Sequence, residues 1–423
     1  MVVRMHLAVL VIVASVSLMS AAPALAQART ELIPSLSLST VYDDNLFARV
    51  DGSAGQILQL RPSVEASHES ATVRLLGLYS FDAQRSNFSS LSTLDARRHA
   101  LGEARLRTSP LTTLGVAVRY DRSDTPGDIN VDTGVLGDRR EAERLEVTPT
   151  LARRLSPRAT ITAGYNWTTE HLVDSERGAL HVGRVSLSRE LTTRTTLTGS
   201  YVGRSFVGGR GPGTGDRPSD DPEASDPRSP IPNPRSHSSH AALVGWNRQL
   251  SPGTRLTLSA GPKATSYRGL TSELAAAVAR ATDRVRLALD YWHGETIVLG
   301  IPGPVGVDSV TGRATWPVTR RIELGTHAGV SGVSTLDSRE STIYRGTLVG
   351  SWSPGGLYTI AASYGLDLQQ GSLRTATVLD DAIGPFDDRV LRQVVRVSMT
   401  VAPRYRRSIL PPDEAARAKG VTR

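Results

Sequence analysis

The stretch RLEVTPTLARRLSPRATITAGYNW, residues 144–167, decides the fold. Its first arm alternates apolar residues such as Leu145 and Val147 with polar ones, and the alternation resumes at Ile161 after a Ser-Pro turn. Successive side chains on a strand point to opposite faces, so the stretch predicts a hairpin with one apolar and one polar face. Such a hairpin suits either a water-soluble sandwich or a barrel whose apolar face meets lipid.

The same pattern fills the rest of the chain and decides between these two folds. Short turns alternate with longer polar loops, the longest of which cover about 122–139, 207–238 and 370–389. Short turns at one rim and long loops at the other are typical of outer-membrane barrels, at their periplasmic and extracellular ends respectively. A sandwich has no reason to sort its connections in this way. The sequence therefore predicts an all-β fold, a transmembrane antiparallel up-and-down barrel of about 18 strands. The predicted arms are 32–43, 56–67, 72–84, 98–107, 112–121, 143–152, 159–169, 180–190, 195–206, 240–249, 254–265, 272–281, 285–296, 307–317, 321–333, 342–352, 357–369 and 391–403.

The two ends of the chain and one internal segment differ from this pattern. Residues 1–26 have a basic start, an apolar run and a small-residue cleavage pattern, which predicts a signal peptide cleaved after 26 or 28. An uncleaved anchor is the alternative, but the run is short for a membrane span. Residues 29–405 form the predicted barrel, and the proline-rich segment 209–236 is predicted to be a disordered extracellular loop rather than a domain linker. Residues 406–423 are predicted to be a polar periplasmic tail.

Composition narrows the functional classes. The chain has no cysteine, which excludes disulfides and thiolate chemistry. Its formal net charge is +8, carried mainly by arginine. A basic chain could bind nucleic acid, but export makes that improbable and no basic cluster alternates with aromatic residues. No nucleic-acid partner is therefore expected.

Motifs for covalent chemistry are missing from the sequence. It has no G-x-S-x-G, no H-E-x-x-H and no phosphate-binding glycine loop. His237 and His240 are a close pair beside the long loop, and the loop carries several acidic residues, but solvated side chains are the better interpretation of both. We therefore expect no enzyme activity, no cofactor and no metal; an outer-membrane esterase or lipase remains a distant alternative.

The polar face of each arm supplies the candidate site. If the apolar face meets lipid, the opposite face lines the pore, and arginines there could bind sugar hydroxyls or uronic carboxylates. The alternative is that these charges only pair with one another. An inward tryptophan, Trp292, is the candidate for stacking on a sugar. The predicted pore-lining residues are Arg61, Arg119, Arg144, Arg184, Arg204, Arg255, Arg286, Trp292, Arg345, Arg396, Asp121, Glu146 and Asp290.

The motif Tyr42-Asp43-Asp44-Asn45-Leu46-Phe47 follows the first arm, and Arg61-Pro62-Ser63-Val64 lies in the second. In these features the chain resembles the outer-membrane β-barrel porin family of Gram-negative bacteria that is associated with exopolysaccharide biosynthesis and export. The resemblance implies a barrel that passes a secreted polysaccharide and works beside periplasmic polysaccharide-export proteins. One departure is the chain beyond Tyr405, because many such barrels end on an aromatic residue.

Together these observations predict a channel in the outer membrane of a Gram-negative bacterium, in contact with its lipid. The leading functional hypothesis is a conduit for exopolysaccharide export. The alternatives are a general or solute-selective diffusion porin and a structural or surface-interaction barrel. Loops that fold inward would favour narrow solute selectivity, whereas an open lumen would favour a polymer.

Overall fold

The structure, a computed structural model, describes residues 29–48, 52–130, 133–137, 139–173, 177–209, 236–336, 338–371, 373 and 389–402. The predicted signal peptide and tail lie outside these residues, as does the loop 209–236 apart from its two end residues. Among the described residues, no helix combines the length and the apolar character needed to cross a membrane.

The described chain forms one closed antiparallel sheet of 18 strands, which confirms the predicted fold class. Each strand pairs with its neighbours in sequence, and β1 pairs with both β2 and β18, so the sheet has no free edge. The strands are β1 (Arg29–Asp43), β2 (Gly55–Glu69), β3 (Val73–Ser86), β4 (Thr93–Ser109), β5 (Thr112–Ser123), β6 (Ala142–Ser156), β7 (Ala159–Leu172), β8 (Arg177–Thr192), β9 (Thr195–Gly209), β10 (Ser236–Ser251), β11 (Thr254–Thr265), β12 (Gly269–Ala281), β13 (Arg286–Val298), β14 (Ile301–Pro317), β15 (Ile322–Ser334), β16 (Glu340–Trp352), β17 (Tyr358–Gly371) and β18 (Arg389–Val401). Among the described residues of the connections, there is one short helix, α1 (Pro126–Ile129), and one 3₁₀ turn (Ser89–Leu91).

Two rims result from this topology. The turn rim carries the short connections, for example 110–111, 157–158 and 193–194. The loop rim carries the others, including 124–141 and 210–235. Two connections at the loop rim are much shorter than the sequence predicted, because 299–300 joins β13 to β14 and 266–268 joins β11 to β12. Here the strands continue beyond the predicted arms and the chain turns back at once.

The outer face of the barrel is an apolar belt. On β5, for example, Leu114, Val116 and Val118 are exposed, and large apolar side chains on most other strands follow the same alternation. Strands of 12 to 17 residues exceed the roughly 9–11 residues that a tilted strand needs to cross a bilayer. The belt is therefore long enough to span a membrane, with both rims extending beyond it.

Candidate functional site: the barrel interior

The interior face can be identified from the residues that meet across the barrel. Val307, Val333 and Ile343 belong to different strands and pack in one buried cluster with Val135, which lies in the 124–141 connection. On each of these three strands the alternate residues belong to the exposed apolar belt, for example Val310, Leu324 and Tyr344. The positions in phase with the cluster therefore face the lumen.

All the predicted pore-lining residues occupy this interior-facing phase of their strands. They are Arg61 on β2, Arg119 and Asp121 on β5, Arg144 and Glu146 on β6, Arg184 on β8, Arg204 on β9, Arg255 on β11, Arg286, Asp290 and Trp292 on β13, Arg345 on β16, and Arg396 on β18. Their contact with a permeating solute stays a prediction. Their positions follow from the same alternation that predicted the strands.

Many of the interior arginines are paired with carboxylates on their own strand, on a neighbouring strand or, for Arg204, three strands away. Arg345 Nε donates to Asp367 Oδ1 over 2.8 Å, and Arg204 Nη2 donates to Glu273 Oε1 over 2.7 Å. Similar pairs join Arg61 to Asp82, Arg119 to Asp121 and Arg144 to Glu170. Pairing of this kind explains how a charged interior is stable, because a buried charge without a partner is costly.

Three of the predicted pore arginines lie outside this pairing. Arg184, Arg255 and Arg286 are exposed and make no ion pair with another residue in the described part of the chain. Arg255 is the second residue of β11 and Arg286 is the first of β13, so both lie beside the turn rim. Small interior residues surround this half of the lumen: Ala117, Thr150, Gly164, Ser186, Ser200, Gly245, Ser259 and Ala277. The turn-rim half of the interior is therefore lined largely by small side chains and carries arginines that no described carboxylate pairs.

The loop-rim half is filled by the connection between β5 and β6. Val135 and Leu136 are buried although the sequence predicted a polar extracellular loop there. The backbone N–H of Leu136 donates to Gln369 Oε1 on β17 over 2.8 Å. Since β5 and β17 are six strands apart around the barrel, this connection crosses the lumen.

A second inward segment is the tip of the β13–β14 hairpin. Leu299 is buried against Ile129 of α1 and against Leu172 at the end of β7. Its backbone N–H donates to Asn130 Oδ1 over 3.0 Å. Gly300 has φ +79°, a left-handed conformation that favours glycine and lets the chain reverse in two residues. The hairpin tip thus folds over the lumen instead of extending into solvent.

These two segments meet wall residues in one apolar cluster, which we call the plug. Its buried members are Val135, Val298, Ile301, Val305, Val307, Val333, Ile343 and Leu373. Trp292, the predicted sugar-stacking residue, packs against this cluster from the interior wall. Full burial of one such aliphatic side chain is worth about 1.5–3 kcal/mol, so the plug is a stable closure of the loop-rim half.

A buried group of charges ties the hairpin to the wall. Lys263 Nζ on β11 lies 2.9 Å from Glu295 Oε1 near the end of β13, and both side chains are almost fully buried. The Tyr267 hydroxyl also donates to the Glu295 carboxylate. Partial burial, followed by this hydrogen bond, raises the pKa of Tyr267 above its ordinary value, so the phenol stays protonated as a donor. We call Lys263, Tyr267 and Glu295 the latch.

The Tyr-Asp-Asp-Asn-Leu-Phe motif holds the seam between β1 and β18. Asp43 is 1% exposed, and its Oδ2 accepts from Arg392 Nη2 on β18 over 2.7 Å. The side chain of Asn45 donates from Nδ2 to the carbonyl of Leu391 over 2.9 Å. Leu46 is 2% exposed within an apolar cluster beside Phe47. The described contacts of the motif thus serve barrel closure.

The histidine pair beside the long loop is split between the two faces of β10. His237 faces the interior, where its ring packs edge-on against Tyr267 with centroids 5.4 Å apart. His240 faces outward and its Nδ1 lies 2.7 Å from the Tyr201 hydroxyl. Within the described residues, no three His, Asp or Glu side chains are grouped so as to hold a metal ion.

The residues that close the lumen were not predicted from the sequence. The run IVLGIPGPV at 297–305 carried a usable signal, because nine residues with no charge are unusual in a connection between strands. No sequence signal marked the polar residues Asn130, Gln369 and Glu295. An isolated polar residue in a connection or near a strand end has the same sequence context whether it binds water or a neighbouring segment.

The closed sheet, apolar belt and charged interior are the fold class of transmembrane outer-membrane β-barrels. No family model matches the sequence, and no curated protein matches it. Among solved structures, the siderophore receptor PirA from Pseudomonas aeruginosa is 12% identical, with a TM-score of 0.41 over 88% of this chain and 80% of that chain. A mutant of the ferric enterobactin receptor PfeA from the same organism is 10% identical, with a TM-score of 0.44 over 89% and 82%. OmpT, an outer membrane protein of Vibrio cholerae, is 10% identical in a loop-deletion form, with a TM-score of 0.39 over 89% and 99%. Such similarities carry no argument about what this chain does.

Proposed function

We propose that the chain is an outer-membrane channel for small polar solutes, closed at its loop rim in the resting state. The observation that carries the proposal is the contrast between the two halves of the interior. The turn-rim half is lined by small residues and has arginines without a carboxylate partner among the described residues, whereas the plug occupies the loop-rim half. A hydrated lumen behind a constriction made by inward-folded segments favours selection among small solutes over free passage of a polymer.

The positive charge of the interior arginines supports a preference for anionic solutes. Arg184, Arg255 and Arg286 have no carboxylate partner among the described residues, so their charge acts on mobile ions in the vestibule. Arginine also forms bidentate hydrogen bonds with carboxylate and phosphate. Anionic solutes, including acidic sugars, are therefore the favoured permeants.

A conduit for exopolysaccharide export is the second candidate. It is favoured by the motif at Tyr42 to Phe47 and its resemblance to the export-associated porin family. A polymer would require the plug to move aside, and the polysaccharide and the periplasmic export proteins would then be the partners. In either case the turn rim faces the periplasm and the belt faces outer-membrane lipid.

A deletion strain separates the two candidates. Carbohydrate is quantified in the medium, on the cell surface and in the periplasm, and uptake of small anionic solutes is measured in parallel. Slower solute uptake with unchanged polymer, restored by the intact gene, is the expected result. Loss of surface polymer with normal solute uptake would instead establish export. A strain with unchanged polymer and unchanged uptake would contradict both candidate functions.

A further inference from the structure

The outer surface of the turn rim carries a group of arginines on one side of the barrel. Arg153, Arg189, Arg248 and Arg280 lie at the turn-rim ends of β6, β8, β10 and β12. Each is in phase with the exposed apolar belt, two residues beyond Leu151, Leu187, Trp246 and Val278 respectively. They therefore lie at the edge of the belt, where a bilayer places its headgroups.

Two turns add to this charge. Arg158 and Arg194 occupy the turns that join β6 to β7 and β8 to β9. None of these six arginines makes an ion pair with another residue in the described part of the chain; Arg248 lies over the ring of Trp246, 6.0 Å from its centroid. In the described ends and turns of the β6–β7 and β8–β9 hairpins, Glu190 supplies the one carboxylate, and it falls on the interior-facing phase of β8. The turn after β12 adds one more, Asp283.

An apolar groove lies inside this basic surface. A cavity of about 590 Å³ separates the 157–158 turn from the end of β8. The residues that line it include Leu155, Leu187, Leu191 and Arg189 of the outward-facing phase, Arg158 of the turn, and also Glu190. The three leucines are all about half exposed, at 57%, 50% and 48%. Two arginines therefore lie next to three exposed leucines, and a molecule bound in the groove would contact both positive charge and apolar surface.

We propose that this groove binds the phosphate headgroup and the upper acyl chain of an anionic glycerophospholipid. Arg158 and Arg189 match the phosphate in charge and in hydrogen-bond geometry, since guanidinium groups bind phosphate oxygens bidentately. Leu155, Leu187 and Leu191 cover the glycerol end of the acyl chain. The remaining arginines of the surface draw further anionic headgroups to this side of the barrel. The proposal does not depend on what the channel transports.

The test uses the full chain, folded in a zwitterionic detergent and mixed with equal amounts of phosphatidylglycerol and phosphatidylcholine. Native mass spectrometry then counts the lipids that stay bound. The expected result is preferential retention of phosphatidylglycerol, which falls roughly tenfold or more in Arg158→Gln with Arg189→Gln. The matched control, Arg74→Gln with Arg107→Gln, removes two exposed arginines of the same rim that face the interior. It should leave retention unchanged.

Two further arms distinguish the ligand. Leu155→Asn with Leu191→Asn keeps the charge and should also lower phosphatidylglycerol retention; unchanged retention would overturn the lipid assignment in favour of an acidic protein partner. Free glycerol phosphate should compete poorly, and competition as strong as that of the lipid would make the groove a phosphate site. Equal retention of both lipids by the wild type would overturn the proposal outright. If the glutamine variants fold poorly, Arg158→Lys with Arg189→Lys replaces them. This variant keeps the charge but loses the bidentate guanidinium hydrogen bonds, so phosphatidylglycerol retention should still fall, and unchanged retention would contradict the assigned role of the two guanidinium groups.

Discussion

At the residue scale, interior charges divide into those that hold the barrel together and those that face the vestibule. Arg345 and Arg204 are held by carboxylates, whereas Arg255 and Arg286 are exposed beside the turn rim. Strand alternation predicted the interior phase of all of them. It could not predict which were paired, because pairing depends on the register between strands, and one sequence does not fix that register.

The unpaired arginines should set the ion selectivity. Arg255→Ala with Arg286→Ala removes two positive charges from the vestibule and should shift the reversal potential in a salt gradient toward cation preference. Arg280→Ala removes the same type of charge from the outer face of β12 and is the matched control. An equal shift in the control would contradict a vestibule role for Arg255 and Arg286.

The seam pair should contribute strongly to stability. Asp43→Asn removes the charge of a carboxylate that is 1% exposed and bound to Arg392, and should cost about 3–5 kcal/mol of unfolding free energy. Asp308→Asn breaks a pair with His293 whose aspartate side chain is 61% exposed, and should cost about 1 kcal/mol or less. Urea unfolding in lipid vesicles, followed by tryptophan fluorescence, measures both. Equal losses would mean that the Tyr-Asp-Asp-Asn-Leu-Phe motif does not hold the seam.

At the element scale, two connections behave as parts of the interior. The 124–141 connection contains Ile129, Val135 and Leu136 among many polar residues, and no period in it distinguishes a buried segment from a solvated one. The 297–305 run was more informative, because its lack of charge already conflicted with a solvated loop. Strand positions were predictable from local alternation, whereas inward folding depends on contacts with strands that are far away in the sequence.

The latch should control how firmly the β13–β14 hairpin stays folded inward. Glu295→Ala leaves Lys263 buried without its carboxylate and removes the acceptor of the Tyr267 hydroxyl. The hairpin should then leave the lumen more often, and the open fraction in single-channel recordings should rise at least fivefold. Glu146→Ala, an interior carboxylate of the β6 wall that accepts from Asn166, is the control and should not raise it. An unchanged open fraction in Glu295→Ala would show that the latch does not restrain the hairpin.

At the scale of the whole molecule, the described residues form a barrel whose interior is lined by small side chains toward the turn rim and occupied by the plug at the loop rim. The fold class was fully predictable, because apolar and polar residues alternate over 18 strands and the connections sort into two rims. The plug at the loop rim was not predictable, and it is the observation that favours the proposed solute channel over the proposed polymer conduit. The resemblance to an export-associated family depends mainly on the motif at Tyr42 to Phe47. The described contacts of that motif hold β1 against β18.

Single-channel conductance in planar bilayers tests the closed mouth most directly. The wild type is compared with a variant in which residues 126–137 are replaced by a short Gly-Ser linker, and with a control that loses an equal number of residues from the 209–236 loop. We predict low conductance with brief openings for the wild type and the control, and a severalfold larger, steady conductance for the 126–137 variant. A wide and steady conductance already present in the wild type would contradict the plug and favour the open polymer conduit.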